Sequence, residues 1–254
     1  MLNQFSTFFY RINRQYILIA IGVLLQIAWQ GNLLAQTEQS LEDAYQKALL
    51  TERQGRFIES LGLLKDVAEQ GHPGAQNYYG YMLDKSDEDE EAVKWYKKSA
   101  AQNHIDGILS LARMYASGEG VKQDIPKAVQ LYEKAIGLGS VGAMKVFAYA
   151  YKNGGLSFSR NNGLALKWFK KSADLGDVSS MIVLAQANEN GGMGLSVNYV
   201  EAIQWYKKAA ENGDYTASKK LMTIYKKGGL GEKPDSAQAE HWRLKLELIS
   251  RNSR

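Results

Sequence analysis

Side chains that commonly carry out catalysis are scarce in this sequence of 254 residues, which contains no cysteine and three histidines, His72, His104 and His241. The first two lie at equivalent positions just after a repeated helical segment, where a turn residue is expected. There is no HExxH zinc motif, no GxSxG nucleophile motif and no phosphate-binding loop. Nucleophile–base pairs and transition-metal sites cannot be assembled convincingly, so we expect no enzymatic activity, no cofactor and no metal ion.

A run of five acidic residues, Asp87–Glu91, is the one cluster with suitable ligands for calcium. The run lacks the central glycine and the spacing of an EF-hand loop. It also adjoins the start of a predicted helix, where each acid interacts favourably with the helix dipole by about 0.3–1 kcal/mol at most. We therefore expect a solvated helix start here.

Three glycine clusters could be mistaken for phosphate-binding loops. They lack the lysine and hydroxyl residues at the positions that a P-loop requires. Loops between helices, with corners in the left-handed conformation, explain them better. The clusters are Gly154–Ser157, Gly191–Ser196 and Gly228–Lys233.

The sequence contains an internal repeat, which predicts the helices and loops on which the histidines, acids and glycines described above lie. The stretch AIQWYKKAAENG, Ala202–Gly213, is interpreted as one helix closed by a glycine, and copies of it recur every 36 or 37 residues. A fixed period of this size is the signature of stacked helical repeats. We expect Trp205 and its equivalents in the core, and the lysine pairs beside the negative end of the helix dipole. These second helices begin at Ala92, Ala128, Ala165, Ala202 and Ala239.

A first helix precedes each second helix and can be aligned from a small opening residue. Large residues follow four and eight positions later, with a usually small residue at the fifth, so the helices can approach closely on one face. At the eighth position, Asn188 places a polar amide where the other repeats have leucine or tyrosine. The opening residues are Ala75, Gly107, Ala143, Ser180 and Ala217.

Glycines recur where these helices end. Eleven residues after four of the opening residues, a glycine is expected as a left-handed helix cap. A second set closes the second helices, where Asn103 replaces glycine because asparagine also tolerates the left-handed conformation. The two sets are Gly118, Gly154, Gly191 and Gly228, then Gly139, Gly176 and Gly213.

The pattern Ala…Leu-Ala…Tyr…Gly, followed by Ala-x-x-Trp-Tyr-Lys-Lys-Ala-Ala-x-x-Gly, resembles the SEL-one-like repeat, a relative of the tetratricopeptide repeat. The resemblance covers roughly residues 41–246, with a degenerate first repeat in which Ser60, Leu63, Leu64 and Gly71 occupy the equivalent positions. It implies an all-α, right-handed α-solenoid of stacked antiparallel helix pairs. We expect about six repeats, at residues 41–72, 73–104, 105–140, 141–177, 178–214 and 215–250.

In solenoids of this type the first helices line the concave surface, which implies a protein or peptide partner. Positions two and six after each opening residue point away from the core by helical periodicity. Tyrosine and arginine are enriched at binding hot spots, and two apolar residues at these positions favour a binding groove over an ordinary surface. The predicted site residues are Asn77, Tyr81, Leu109, Arg113, Lys145, Tyr149, Ile182, Gln186, Lys219 and Thr223.

The first 36 residues have the composition of a secretory signal peptide. Arg11 and Arg14 precede an apolar run, Tyr16–Trp29, and Leu33 and Ala35 then fall at the −3 and −1 positions of a predicted cleavage site. The run is shorter than the roughly 20 residues that span a membrane. We expect export to the periplasm, with residues 37–254 forming the repeat domain. An uncleaved signal anchor in the inner membrane is the alternative.

Removing residues 1–36 lowers the net charge from +4 to +2, which gives no electrostatic case for nucleic acid or for an anionic membrane. The leading hypothesis is therefore a non-enzymatic, monomeric scaffold that acts as an envelope adaptor or regulator. Two alternatives remain: an immunity protein that neutralises a periplasm-targeted toxin, and a cell-wall or β-lactam-acting enzyme. The absence of cysteine disfavours the enzyme, because the relatives linked to β-lactams are rich in cysteine.

Overall fold

The computed structural model describes residues 26, 29–31 and 35–252. The predicted signal peptide, residues 1–36, lies mostly outside this part of the chain, so its cleavage stays a prediction. The chain divides into two compact units, Met1–Gly107 and Ile108–Arg254. Within the described ranges, no helix combines the length and the apolar character needed to cross a bilayer.

The first unit is built from consecutive helices joined by short turns. Ser60 Oγ donates to the Ala48 carbonyl (2.8 Å), which joins the first helix pair. In the next pair, Tyr79 meets the Trp95 ring edge to face at 5.3 Å. The helices are α1 (35–53), α2 (Phe57–Glu69), α3 (Pro73–Asp84) and α4 (Asp89–Ala101), and α5 (Ile105–Ser117) begins here and continues into the second unit.

The second unit repeats the same arrangement. Its core joins side chains of successive helices, among them Phe169, Trp205, Tyr206, Leu221 and Trp242. The helices are α6 (Ile125–Gly137), α7 (Val141–Asn153), α8 (Asn162–Asp174), α9 (Val178–Asn190), α10 (Tyr199–Glu211), α11 (Tyr215–Lys227) and α12 (Ser236–Asn252), with a short 3-10 turn at Gly192–Gly194.

Polar side chains cap the first helices. The backbone N–H of Ala75 donates to His72 Nδ1 (3.0 Å), and that of Gly107 donates to His104 Nδ1 (3.3 Å). The two histidines, expected simply as turn residues, therefore accept at a helix start, as serine and aspartate do elsewhere. The other first-helix caps are Ser140, Asp177 and Asp214.

Glycines end the helices broadly as expected. Gly139, Gly176 and Gly213 have φ of 86°, 91° and 88°, and Asn103 takes φ 60° in the same role. After the first helices, Gly191 is left-handed, but Gly154 and Gly228 have ψ of 121° and 160°. The expectation of a left-handed cap is therefore wrong for these two, because the chain there enters a tight turn closed by an antiparallel bridge, Gly155 with Phe158 and Gly229 with Glu232.

The second helices carry their tryptophans in or beside the core. Trp95 and Trp205 are buried, and Trp168 is half-buried. One lysine of each pair lies over the preceding ring, with Lys98 Nζ 3.5 Å from the Trp95 centroid and Lys208 Nζ 4.1 Å from that of Trp205. These lysines thus make cation–π contacts in addition to the expected interaction with the helix dipole.

Two further expectations concern polar residues. The acids Asp89, Glu90 and Glu91 lie in the first turn of α4, the helix start that was expected. Asn188 is buried, and its Nδ2 donates to the Leu184 carbonyl (2.9 Å). The buried amide of Asn188 is therefore hydrogen-bonded to the backbone of its own helix.

Candidate protein-binding face

The ten predicted site residues lie on α3, α5, α7, α9 and α11, and we refer to them as the first-helix face. None of them is fully buried. Six are exposed, namely Tyr81, Arg113, Tyr149, Gln186, Lys219 and Thr223, and four are half-buried, namely Asn77, Leu109, Lys145 and Ile182. Their role in binding stays a prediction.

In the first unit, Tyr81 is held in place by a second tyrosine. Its ring, 41% exposed, stacks on that of Tyr78 with centroids 5.8 Å apart. The Tyr78 hydroxyl donates to Glu52 Oε2 (2.6 Å). Burial, and then this hydrogen bond, raise the pKa of Tyr78, so its hydroxyl remains a neutral donor. Tyr81 is therefore an ordered aromatic surface that faces solvent.

In the second unit, Tyr149 has a comparable support. It is 42% exposed and meets the buried Phe169 ring edge to face at 5.1 Å. Lys152 Nζ lies 5.9 Å from the Tyr149 centroid. Exposed tyrosines that are already ordered lose little side-chain entropy when a partner covers them. This arrangement suits recognition of another protein.

Arg113 projects from α5 in the second unit. Its Nη1 lies 3.1 Å from Glu119 Oε2, and both side chains are about half exposed. An exposed pair of this kind contributes at most about 1 kcal/mol to the stability of the fold.

Lys145 is engaged within the protein. Its Nζ donates to Asp177 Oδ1 (3.0 Å) and to Ser179 Oγ (3.3 Å), and so connects α7 to the start of α9. Burial acts to raise the pKa of Asp177, but hydrogen bonds from Ser180, Ser179 and Lys145 outweigh it and lower that pKa to about 2. Lys145 therefore joins two repeats, whereas the sequence predicted a side chain that points away from the core and is available to a partner.

The two apolar residues of the face are also partly engaged. Ile182 packs against the core of the second unit. Leu109 Cδ1 lies 3.3 Å from the point where a side chain on Gly142 would begin, so it contacts α7. Because both are half-buried, packing accounts for part of the apolar character that had suggested a groove.

A carboxylate cluster on α9 was missed by the sequence analysis. Glu189 accepts from the Tyr206 hydroxyl (2.6 Å) and from Lys220 Nζ (2.6 Å). Burial acts to raise the pKa of Glu189, but the hydrogen bonds from Lys220 and Tyr206 outweigh it, and the pKa is lowered. Glu189 thus joins α9, α10 and α11.

The sequence does contain a signal for this cluster. The ninth position after the opening residue is acidic in two repeats, at Asp84 and Glu189. In each of these repeats the second helix carries a tyrosine, Tyr96 or Tyr206, whose hydroxyl can donate to the acid. The Tyr96 hydroxyl accordingly donates to Asp84 Oδ2 (3.1 Å) in the first unit. Where the ninth position is Lys152, the second helix has Phe169, which carries no hydroxyl.

The first-helix face thus offers aromatic rings, amides and cations, which suit reversible binding. Among the described residues, no group of three or more histidines and acids could hold a metal ion. The carboxylates Asp177 and Glu189 are both engaged by donors of neighbouring helices. These two carboxylates therefore hold neighbouring repeats together.

Comparisons with known proteins agree with the repeat pattern. The profile of the Sel1 repeat, the SEL-one-like repeat named above, matches residues 73–104, 105–140, 141–177 and 178–214. A Sel1-like repeat-containing protein of Acanthamoeba polyphaga mimivirus is 36% identical over 78 residues. An exopolysaccharide production negative regulator of Rhizobium leguminosarum is 34% identical over 68 residues. These matches cover 31% and 27% of the chain, and 14% and 26% of the relatives' own lengths.

Solved structures share the fold over a larger part of the chain. A Sel1 repeat protein from Oxalobacter formigenes is 28% identical, with a TM-score of 0.64, over 84% of this chain and 88% of that one. An immunity protein from Pseudomonas aeruginosa is 17% identical, with a TM-score of 0.55, over 83% and 82% of the two chains, and this likeness shows the fold alone. The all-α solenoid predicted from the sequence is confirmed.

Sel1 repeat proteins are generally scaffolds for protein interactions. The exposed Tyr81 and Tyr149, each packed against a neighbouring ring, are compatible with that role. Four matched repeats cover more than half of the chain, and a solved relative aligns along most of it. The chain belongs to the Sel1 repeat family.

Proposed function

We propose that this protein is a non-enzymatic, exported scaffold that binds another protein or peptide through the first-helix face, as an envelope adaptor or regulator. The observation that carries the proposal is the pair of ordered, exposed tyrosines, Tyr81 on α3 and Tyr149 on α7, together with the exposed Arg113 on α5. Tyrosine and arginine supply a large share of binding energy at protein interfaces. The mixed-charge composition of residues 37–254, with a net charge of only +2, favours a protein partner over a nucleic acid.

The regulatory role has limited support from relatives. One of them is named as a negative regulator of exopolysaccharide production, and its similarity is confined to 68 residues. Similarity over such a length concerns the repeats themselves. The identity of the partner must therefore come from experiment.

A cross-linking experiment tests the binding face directly. A photo-reactive residue is placed at Tyr149 or at Gln186, and in control variants at Lys167 or Gln204, which are exposed on second helices. We expect a discrete cross-linked partner from the first pair and none from the control pair. Equal cross-linking from both pairs would refute the assignment of the face.

The partner so captured also decides between adaptor and immunity protein. If it is a toxin encoded by a neighbouring gene, and co-expression of this protein restores growth, the immunity role replaces the regulatory one. Turnover of a chromogenic β-lactam by the pure protein would instead support the enzyme alternative.

Export is tested by cell fractionation. We expect a product shortened by about the predicted signal length in the periplasmic fraction. A full-length product in the inner-membrane fraction would indicate the signal anchor, and a full-length cytosolic product would contradict export.

A further inference from the structure

The small net charge of residues 37–254 is the sum of two opposite contributions. Residues 37–107, the part of the first unit that follows the predicted signal, contain 8 basic and 14 acidic residues, a net charge of −6. Residues 108–254, the second unit, contain 21 basic and 13 acidic residues, a net charge of +8. An asymmetry of this kind is typical of proteins that bind a charged partner, because the local field attracts charge of the opposite sign.

The first helices of the second unit are the elements on which one sign of charge dominates. From Ile108 onwards, α5, α7, α9 and α11 carry seven basic residues and one acidic residue, Glu189. The second helices of this unit carry ten basic and six acidic residues, so both signs are mixed on them. The seven basic residues of the first helices are Arg113, Lys145, Lys152, Lys219, Lys220, Lys226 and Lys227.

More than half of these basic residues are not paired with an acid of the protein. Those that form an ion pair are Arg113, Lys145 and Lys220. In the part of the chain that the structure describes, the other four form none, namely Lys152, Lys219, Lys226 and Lys227. Lys152 is half-buried, and the other three are exposed. The first helices of the second unit therefore keep positive charge that a partner can meet.

The positive charge recurs at fixed positions of α7 and α11. Both helices carry lysine at the second and the ninth position after the opening residue, and residues seven apart lie on the same side of a helix. The position between them is exposed in both helices, as Tyr149 on α7 and Thr223 on α11. Both helices thus present positive charge on the first-helix face. The four lysines are Lys145, Lys152, Lys219 and Lys226.

The helix between them, α9, carries no basic residue. Its place between α7 and α11 follows from two ion pairs. Lys145 Nζ lies 3.0 Å from Asp177 at the start of α9, and Lys220 Nζ lies 2.6 Å from Glu189 near its end. The remaining face positions of α9 are the half-buried Ile182 and the exposed amide of Gln186. The unpaired lysines therefore lie on two helices, on either side of a helix that presents an apolar side chain and an amide.

We propose that this part of the first-helix face binds an acidic segment of a protein partner, whose carboxylates meet Lys152, Lys219 and Lys226. The inference rests on the proposed function and adds the charge of the partner to it. A nucleic acid or an anionic membrane presents continuous negative charge, which would meet no unpaired cation on α9. A peptide can instead place an apolar or amide side chain over Ile182 and Gln186, between its acids. Complementary charges at exposed positions steer association and select the partner.

Selection from a library of random peptides displayed on phage tests the charge of the segment, with the purified protein at physiological ionic strength. We expect the enriched peptides to be acidic and their Kd to rise at least about tenfold in the triple variant Lys152→Glu, Lys219→Glu and Lys226→Glu. Replacing the acids of such a peptide by lysine should restore its binding to that variant. The matched control is the triple variant of exposed second-helix lysines, Lys127→Glu, Lys167→Glu and Lys170→Glu, for which we expect an unchanged Kd.

The outcomes separate this inference from the proposed function, which cross-linking at Tyr149 or Gln186 tests by itself. Neutral or basic peptides whose binding is weakened by Tyr149→Ala and not by the first triple variant would overturn the inference and leave the proposed function standing. Equal weakening in both triple variants, or no enriched peptide, would also overturn the inference. Single-stranded DNA, or vesicles that contain phosphatidylglycerol, might bind more tightly than the peptides and lose binding in the first triple variant alone; that result would assign the face to a polyanion instead.

Discussion

Asp177 combines two tasks in a single side chain. Its carboxylate caps α9 through the Ser180 N–H (2.8 Å) and also accepts from Ser179 and Lys145. These hydrogen bonds outweigh the effect of burial, so the pKa lies at about 2, below the usual 3.8. The folded protein therefore favours the ionised carboxylate more than the unfolded chain does, and Asp177 contributes stability above pH 3.8.

Asp177→Asn should destabilise the protein by about 1 kcal/mol near neutral pH, because asparagine keeps the cap but loses the ion pair. The stabilising contribution of Asp177 is lost as the pH falls from about 3.8 towards 2, so the difference between the two proteins should shrink over that range. Urea unfolding at a series of pH values measures it. Asp174→Asn, on the exposed surface of α8, is the control, and a difference that does not vary with pH would contradict the account.

Three loops place a bulky residue in the left-handed conformation, with φ of 51° at Leu156, 53° at Met193 and 50° at Leu230. Met193 and Leu230 pack against the core of the second unit, which offsets the backbone cost. The glycine clusters indicated left-handed corners in these loops. The sequence could not indicate that leucine and methionine occupy them, because local preference disfavours both and tertiary packing decides.

Ser157→Gly should stabilise the protein by about 0.5–1 kcal/mol, because Ser157 has φ 62° and is exposed. The equivalent positions in the next two repeats already hold Gly194 and Gly231, with φ of 78° and 80°. The reverse change, Gly194→Ser, should destabilise by a similar amount. Thermal and urea unfolding of the two variants would contradict this if both shifted in the same direction.

At the scale of elements, small residues set how closely neighbouring helices approach. Gly107 on α5 leaves no room for a side chain, since a Cβ there would lie 2.2 Å from Ser99 Oγ and 2.6 Å from Ser99 Cβ. Ser99 is itself fixed by donating to the Pro73 carbonyl (2.8 Å). The contact between α4 and α5 in the first unit therefore depends on the absence of one methyl group.

Gly107→Ala should cost about 1–3 kcal/mol, because the added methyl group forces the helices apart. Gly137→Ala, at the end of α6, has nothing within 4 Å and should stabilise by up to about 1 kcal/mol through its better helix propensity. Opposite signs in the free energy of unfolding are expected for these two identical substitutions. The same sign for both would contradict the close approach.

Helix pairs could be predicted because the same apolar spacing recurs through the chain, so each repeat confirms the others. The opening residues and the tryptophan column follow from that spacing, as does the solvent exposure of Tyr81 and Tyr149. The contacts of Lys145 with Asp177 and of Glu189 with Lys220 could not be predicted from the sequence. They depend on which side chains of different repeats come to face each other. The capping histidines were missed because histidine seldom takes that role.

At the scale of the whole molecule, the first helices and the second helices differ in what they expose and what they bury. The first helices present the exposed Tyr81 and Tyr149, each in contact with a neighbouring ring, and the second helices carry the buried tryptophans. We propose that the more uniform second helices provide the scaffold and that the more variable first helices provide the recognition surface.

The central claim is that the first-helix face binds the partner, and affinity measurements on the cross-linked partner once it is identified test it most directly. The variant with Tyr81, Arg113 and Tyr149 replaced by alanine is compared with one in which Gln130, Lys167 and Gln204, exposed on second helices, are replaced. The account predicts at least about a tenfold rise in Kd for the first variant and an unchanged Kd for the second. An unchanged Kd in the first variant, with its fold intact, would contradict it.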